Sequence, residues 1–285
     1  MASYLPRTQL AALLALLQQQ GYDCLGPQQR DGAIVYASLT SVTQLPQGIQ
    51  DLQSPGQYRL SQQDSARCFA WANGPQALKP QVFAPCETLW QVQRDMRQPS
   101  CPLGFATTLP ETKKLAVFGV RACDLAALRL QDQHFLDGEY CDPYYAARRA
   151  GLFLIAVNCS HPAATCFCHS TGDGPRAEQG YDLRLDELDD GYVIEAGSDA
   201  GETLLSPLRL EAASDAMLQS AAQQTEQAAQ QQQRRLPSRD LRDALFQHLD
   251  HARWDEVARR CLSCGNCTAV CPTCFCHSEQ EVPSL

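Results

Sequence analysis

Leu115-Ala-Val-Phe-Gly-Val-Arg-Ala-Cys-Asp124 opens as a compact apolar run and turns polar within a few residues. The spacing predicts a strand over 115–120, buried on both faces. Leu125–Gln133 has helical character, and Leu152–Asn158 is a second apolar strand. Strand, helix and strand in this order predict a βαβ unit with parallel strands. Upstream, residues 5–20 predict a helix, with Leu10, Leu13, Leu14 and Leu17 on one face and Thr8 as its N-cap. Residues 21–61 read as strands and turns, Ala33–Ser38 being the clearest strand. Residues 66–86 read as loop and Glu87–Arg97 as a short helix. Downstream, Tyr181–Leu185 and Tyr192–Ala196 flank Asp189-Asp190-Gly191 as a hairpin. Asp186, Glu187, Asp189 and Asp190 read as a solvated charged turn. Residues 207–235, rich in Ala, Gln and Glu, favour helix, and a further helix is expected over Arg239–Arg260. No internal repeat is evident.

That last helix leads into Cys261-Leu-Ser-Cys264-Gly-Asn-Cys267-Thr-Ala-Val-Cys271-Pro272. The run reads C-x2-C-x2-C-x3-C-P, the bacterial ferredoxin spacing for cubane iron–sulfur clusters. Gly265 permits the sharp turns that wrapping a cluster needs, and Pro272 fixes the exit of the loop. Four cysteines also suit zinc, but zinc ribbons separate two C-x2-C pairs by a longer spacer. The site residues expected for a [4Fe–4S] cluster are therefore Cys261, Cys264, Cys267 and Cys271. Cys274 and Cys276 read either as spare thiols or as replacements for a missing ligand.

Fifteen cysteines in 285 residues, several of them crowded together, read as metal ligands in a reducing compartment rather than as disulfides. A cytoplasmic setting is expected. The net charge of -9 argues against a nucleic-acid partner. The longest apolar runs, Leu10–Leu17 and Leu152–Val157, fall far short of the ~18 residues of a membrane span. The first of them is followed by Gln18-Gln19-Gln20 rather than a cleavage site, so it reads as a packed helix and not a signal peptide.

A second set of cysteines lies at or beyond the ends of the βαβ strands. Cys123 follows the first strand and opens a helix; Cys159 follows the second, and Cys166-Phe-Cys168 comes shortly after. In a parallel sheet the carboxyl ends of neighbouring strands share one edge, where ligands bind. Cys123, Cys159, Cys166 and Cys168 are thus candidates for an additional [4Fe–4S] cluster. The plain alternative is buried small hydrophobes. Cys24, Cys68, Cys86, Cys101 and Cys141 stand alone and read as structural. His161, His169 and His277 sit near cysteines, either hydrogen-bonding cluster sulfurs or solvated in loops. Neither G-x-G-x-x-G nor G-x4-G-K-[ST] is present, so no nucleotide site is visible, and Thr171–Pro175 reads as a turn.

Phe118-Gly-Val-Arg-Ala-Cys123-Asp124-Leu-Ala-Ala-Leu128, Asp142-Pro-Tyr-Tyr145, Val157-Asn-Cys159, Thr165-Cys166-Phe-Cys168, and Cys261 to Cys267 followed by Val270-Cys271-Pro-Thr-Cys274-Phe-Cys276 carry a family likeness. Together they resemble the iron–sulfur beta subunit of soluble nickel–iron hydrogenases (sulfhydrogenases) and the related iron–sulfur subunit of anaerobic sulfite reductases. The resemblance covers roughly residues 80 to 276. It implies an electron-transfer subunit placed between two partners. One is a flavin- and NAD(P)-binding subunit; the other is a hydrogenase or sulfite reductase catalytic subunit. The resemblance also strengthens the case for the cluster at Cys123, Cys159, Cys166 and Cys168. Family members carry a second C-x2-C-x2-C-x3-C-P segment downstream. In two-cluster ferredoxins the fourth cysteine of each run serves the other cluster. Three readings follow: a truncated chain, which is the expectation; local closure by Cys271, Cys274 or Cys276; or a cysteine from a partner.

The expected fold is α/β, of mixed α+β character. A body over 1–206 holds the βαβ core, a Gln/Ala-rich linker helix spans 207–238, and a small ferredoxin-like iron–sulfur segment occupies 239–285. The expected function is electron transfer, with no catalytic residue of its own. The alternatives are a subunit that reduces sulfite or polysulfide directly, and a metal-binding interaction module without redox traffic.

Overall fold

The computed structural model describes residues 2–54, 56–72, 74, 78–94 and 103–282. In chain order the elements are β1 (Ser3–Pro6), α1 (Leu10–Gln19), β2 (Asp23–Arg30), β3 (Ala33–Ser38), β4 (Ile49–Ser54), β5 (Gln57–Gln62), α2 (Lys79–Val82), β6 (Trp90–Arg94), β7 (Leu103–Thr107) and β8 (Leu115–Val120). There follow α3 (Ala122–Phe135), α4 (Pro143–Ala150), β9 (Leu152–Val157), α5 (Cys168–Thr171), β10 (Leu183–Glu187), β11 (Gly191–Ala196) and α6 (Asp199–Leu205). The last are β12 (Glu211–Ala212), α7 (Asp215–Gln230), α8 (Leu241–Phe246), α9 (Arg253–Arg260) and α10 (Asn266–Val270).

Eight strands form one mixed sheet in the order β12-β1-β11-β10-β9-β8-β2-β3. Its centre, β2-β8-β9-β10, is parallel, and the strands flanking it on both sides pair antiparallel. Both faces of the centre are buried, which is why β8 and β9 are continuous apolar runs rather than alternating ones. Ala116, Phe118, Phe153, Ile155, Leu183 and Leu185 face one core with Leu10, Leu13, Leu14 and Leu17 of α1 and Leu204 of α6. Val117, Val120, Leu154 and Ala156 face the other with Leu125 and Leu128 of α3, Tyr145 of α4 and Val82 of α2. The α/β fold and its βαβ core are as the sequence indicates. Asp142, singled out in the sequence, caps α4 by accepting the N–H groups of Tyr144 and Tyr145 at 2.8 and 3.1 Å.

Four local expectations are corrected. Leu5 and Pro6, expected to open the helix, belong instead to β1, which pairs with β11 in the register Ser3↔Ile194 to Pro6↔Gly191. The helix starts at Leu10 behind a 3-10 turn, with Gln9 rather than Thr8 at its N-cap. The segment read as a helix over 87–97 contains β6, where Trp90-Gln-Val-Gln alternates at period two and Val92 faces Phe105 of β7. The helix expected over 239–260 is broken between α8 and α9, where His248 Nδ1 meets the Ala244 carbonyl and the Trp254 indole N–H bonds the His248 carbonyl at 2.7 Å.

The acidic turn is only half solvated. Asp189 is exposed, but Asp186 and Glu187 are buried as the end of β10. Glu187 accepts the backbone N–H groups of Cys68 and Phe69 at 2.7 and 2.8 Å and pairs with Arg7 at 2.9 Å. These partners compensate the loss of water. Further along the chain, Ala221, Thr225, Ala228 and Ala229 of α7 are buried.

Leu13 is 0% exposed between α1 and the sheet. Leu13→Ala is expected to lower unfolding free energy by about 2–5 kcal/mol. Urea denaturation should show it as a shifted midpoint with an unchanged slope.

Candidate metal centre

The carboxyl ends of β8 and β9 lie side by side, and each is followed within a few residues by a cysteine. A register shift between Phe118 and Val120 bends the end of β8 and delivers Arg121 to the sheet edge. Arg121 is 1% exposed. Its guanidinium donates to the carbonyls of Val157 and Asn158 at 3.2 and 3.4 Å, and to those of Phe69 and Trp71 at 2.9 Å each. It also lies over the Trp71 ring, 4.8 Å from its centroid. Among the described residues, its buried Nε has no geometric hydrogen-bond partner. The N–H of Arg121 bonds the Asp124 carboxylate at 2.9 Å, which starts α3 and places Cys123 in the helix's first turn.

Cys123, Cys159, Cys166 and Cys168 are brought into electrostatic reach of one another. Burial pushes the Cys123 thiol well up, and Asp124 and the thiols of Cys159, Cys168 and Cys166 add to the shift. Cys123 is nevertheless solvent-accessible, so it lines a recess rather than a filled core. Burial also raises Cys159, where the charge of Arg121 pulls the other way. It raises Cys166 against a backbone hydrogen bond at Ala163, and Cys168 against a hydrogen bond from Gln232.

The loop that carries these thiols is tied down from several sides. Asn158 is buried, donates to Asp186 at 2.8 Å and accepts the Ala177 N–H at 2.8 Å. The Cys159 N–H bonds the Pro175 carbonyl at 3.1 Å. Gly174, at φ 154°, presses so close that a Cβ there would stand 3.1 Å from Cys168 Sγ and 3.2 Å from Ala122 Cβ. The segment read from sequence as a plain turn is thus one wall of the recess.

The C-terminal run is arranged differently. Cys261, Cys264 and Cys267 are exposed, and Cys261 Sγ accepts the Ser263 N–H at 3.4 Å. Gly265 takes φ 71°, the turn expected of it. Cys271 neighbours Cys274 instead. Slight burial works against the Cys271 thiolate, but hydrogen bonds from Thr273 and Cys274 and the charge of Lys79 bring its thiol below the ordinary value. Lys79 Nζ donates to the carbonyls of Thr268, Ala269 and Cys271 at 2.9, 3.2 and 2.8 Å, closing the end of α10. Gln131 of α3 bonds the Pro272 carbonyl. Phe275 stacks on His134 at 5.3 Å and meets Phe135 edge-on at 4.7 Å.

Among the described residues, no three His, Cys, Asp or Glu side chains are gathered tightly enough to ligate one metal ion. A cubane asks for wider spacing, because each of its thiolates binds a different iron.

Sequence reasoning missed three features. Arg121, quoted only as part of the Phe118–Leu128 segment, and Gln232, which carries no motif signal, are buried partners of the thiols. The third was legible: Thr165-Cys-Phe-Cys-His-Ser170 recurs unchanged as Thr273-Cys-Phe-Cys-His-Ser278, contrary to the reading of no repeat. Of the cysteines read as structural, Cys24 and Cys68 are buried and pushed up to about 11 and about 12, Cys86 and Cys141 are exposed, and Cys101 lies outside the described residues. His161 Nε2 meets the Asp51 carbonyl at 3.0 Å, and His277 Nδ1 meets that of Phe275 at 3.0 Å. The N–H of His169 bonds Gln232 at 3.0 Å.

No family model matches the chain. A relative does: sulfhydrogenase 2 subunit beta of Pyrococcus furiosus is 33% identical over 166 residues, or 58% of this chain. Over that segment the chain is similar to this sulfhydrogenase beta subunit. It spans about half the length of that relative, with 49% covered. Among the described residues, no helix is long and apolar enough to cross a membrane.

The thiol environments have a direct chemical readout. Thiolate is the reactive form. The metal-free chain is therefore expected to alkylate at Cys271 at neutral pH, well before Cys123 or Cys159. Their raised values move body labelling to alkaline pH, which peptide mass spectrometry on a pH series would register.

Proposed function

We propose that this chain is an iron–sulfur electron-transfer subunit of an oxidoreductase complex. Its expected place is between a hydrogenase or sulfite/sulfur reductase catalytic subunit on one side and a flavin- and NAD(P)-binding subunit on the other. The observation that carries the reading is the convergence of Cys123, Cys159, Cys166 and Cys168 beside the buried guanidinium of Arg121. The similarity to a sulfhydrogenase beta subunit supports it.

The donor set fits a [4Fe–4S] cluster. Thiols buried this way resist ionisation unless something compensates their charge. Arg121 supplies both positive charge and a side-chain hydrogen bond at Cys159. The N-terminus of α3 adds a favourable field at Cys123. Gly174 leaves the backbone close against Cys168 without a side chain in the way. A bound cluster would supply one-electron exchange at iron, its potential tuned by net charge, hydrogen bonds to sulfur and exposure.

Cys261, Cys264, Cys267 and Cys271 are assigned a second [4Fe–4S] cluster on their spacing. Lys79, Gln131 and Phe275 support that assignment by docking the end of the run on the body near α3. The pairing of Cys271 with Cys274 makes local closure by Cys274 a natural variant of the ligand set.

Anaerobic reconstitution of the full chain, followed by iron and sulfide analysis and EPR after dithionite, tests the proposal. Cys159→Ser should lose one cubane's worth of iron and one EPR signal, and Cys264→Ser the other. Bound zinc with no reducible signal would replace the electron carrier by an interaction module. Sulfite turnover by the isolated chain with an artificial donor would replace it by a reductase subunit.

A further inference from the structure

We infer that Gln232 is a positioning residue that sets the reduction potential of the group held by Cys123, Cys159, Cys166 and Cys168, through its hydrogen bond to Cys168. The inference rests on the iron–sulfur reading of that site. Gln232 lies just past the end of α7 and is only 5% exposed. Its Oε1 accepts the N–H of His169 at 3.0 Å, and its Nε2 stands 3.2 Å from Cys168 Sγ. The first bond decides the orientation of the carboxamide. A backbone N–H can only donate, so the oxygen must face His169 and the NH2 group must face sulfur. The helix end holds this orientation, since the Gln232 N–H bonds the Ala229 carbonyl at 3.3 Å.

A carboxamide N–H aimed at a ligand sulfur acts differently on two redox states. Reduction adds one electron and breaks no bond, and part of the added negative charge resides on the sulfurs. The N–H···S bond strengthens as that charge grows, and burial enhances the effect. Gln232 therefore favours the reduced state. It does so at one corner of the site, whereas Arg121 acts at Cys159.

Two variants of the full chain test this after anaerobic reconstitution. Gln232→Leu keeps the approximate bulk and removes the donor. Gln232→Glu keeps the shape and the acceptor for His169 but turns an anion toward sulfur. With dithionite as reductant, an EPR-monitored titration should show the Cys159-dependent signal shifted about tenfold toward the oxidised state in Gln232→Leu, ~59 mV for a one-electron couple. Gln232→Glu should shift further in the same direction. Iron content and the Cys264-dependent signal should not change. The metal-free chain gives a second readout: Cys168 should alkylate more slowly in Gln232→Leu than in wild type, because its thiol loses a stabilising donor.

An unchanged potential at full iron content overturns the inference and leaves the electron-transfer reading intact. So does a Leu variant shifted down with a Glu variant that is not, since that order marks packing rather than charge. If wild type forms no Cys159-dependent cluster, the inference falls together with its premise. Should Gln232→Leu not fold, the Glu variant alone decides by its potential.

Discussion

The guanidinium of Arg121 ties the ends of two paired strands to a loop from much earlier in the chain. It binds carbonyls at the end of β9 and in the 69–71 loop from its own place at the end of β8. Burying such a group is costly unless its N–H donors are used. Once they are used, moving any of the three segments breaks a charged hydrogen bond. Cys123 is two residues beyond Arg121, and Cys159 two beyond Val157. One residue thus holds the starting points of both cysteine-bearing turns, and the remaining ties at Asn158, Gly174 and Gln232 complete the recess from other sides.

The two copies of the Thr-Cys-Phe-Cys-His-Ser hexapeptide show how far context outweighs local sequence. In the first, Phe167 is exposed while the cysteines on either side turn toward a protein-lined recess. In the second, Phe275 is the packed anchor and Cys276 is exposed. Both copies sit against the region of α3, one at its first turn and one toward its last. The same six residues can therefore present thiols inward or use their aromatic ring as a foot.

Much of this was legible in the sequence, and the reasons are physical. β8 and β9 are apolar on both faces, a pattern that fits strands covered on both sides of a parallel sheet, and from it the shared edge with Cys123 and Cys159 followed. The period-two alternation of Trp90-Gln-Val-Gln was also present, but short strands and short helices are hard to separate over five residues. β1 could not be read at all, because a four-residue strand is defined by its partner β11 and not by its own composition. Arg121 and Gln232 escaped for a related reason. Their roles come from long-range bonds, and a glutamine inside a Gln-rich stretch looks like every other one until the fold brings it to a sulfur. Glu187 was misread as solvated because the amides it binds lie 118 and 119 residues away in the chain.

α3 carries Cys123 in its first turn and meets Pro272 and Phe275 through Gln131 and Phe135. It contains neither Gly nor Pro. At 1.5 Å of rise per residue, Cys123 and Gln131 stand about 12 Å apart along its axis. That interval cannot stretch or shrink without rupturing the helix's own ladder of hydrogen bonds. α3 is in this sense a ruler: it keeps the body thiols and the docked end of the C-terminal run at a separation written into one uninterrupted helix.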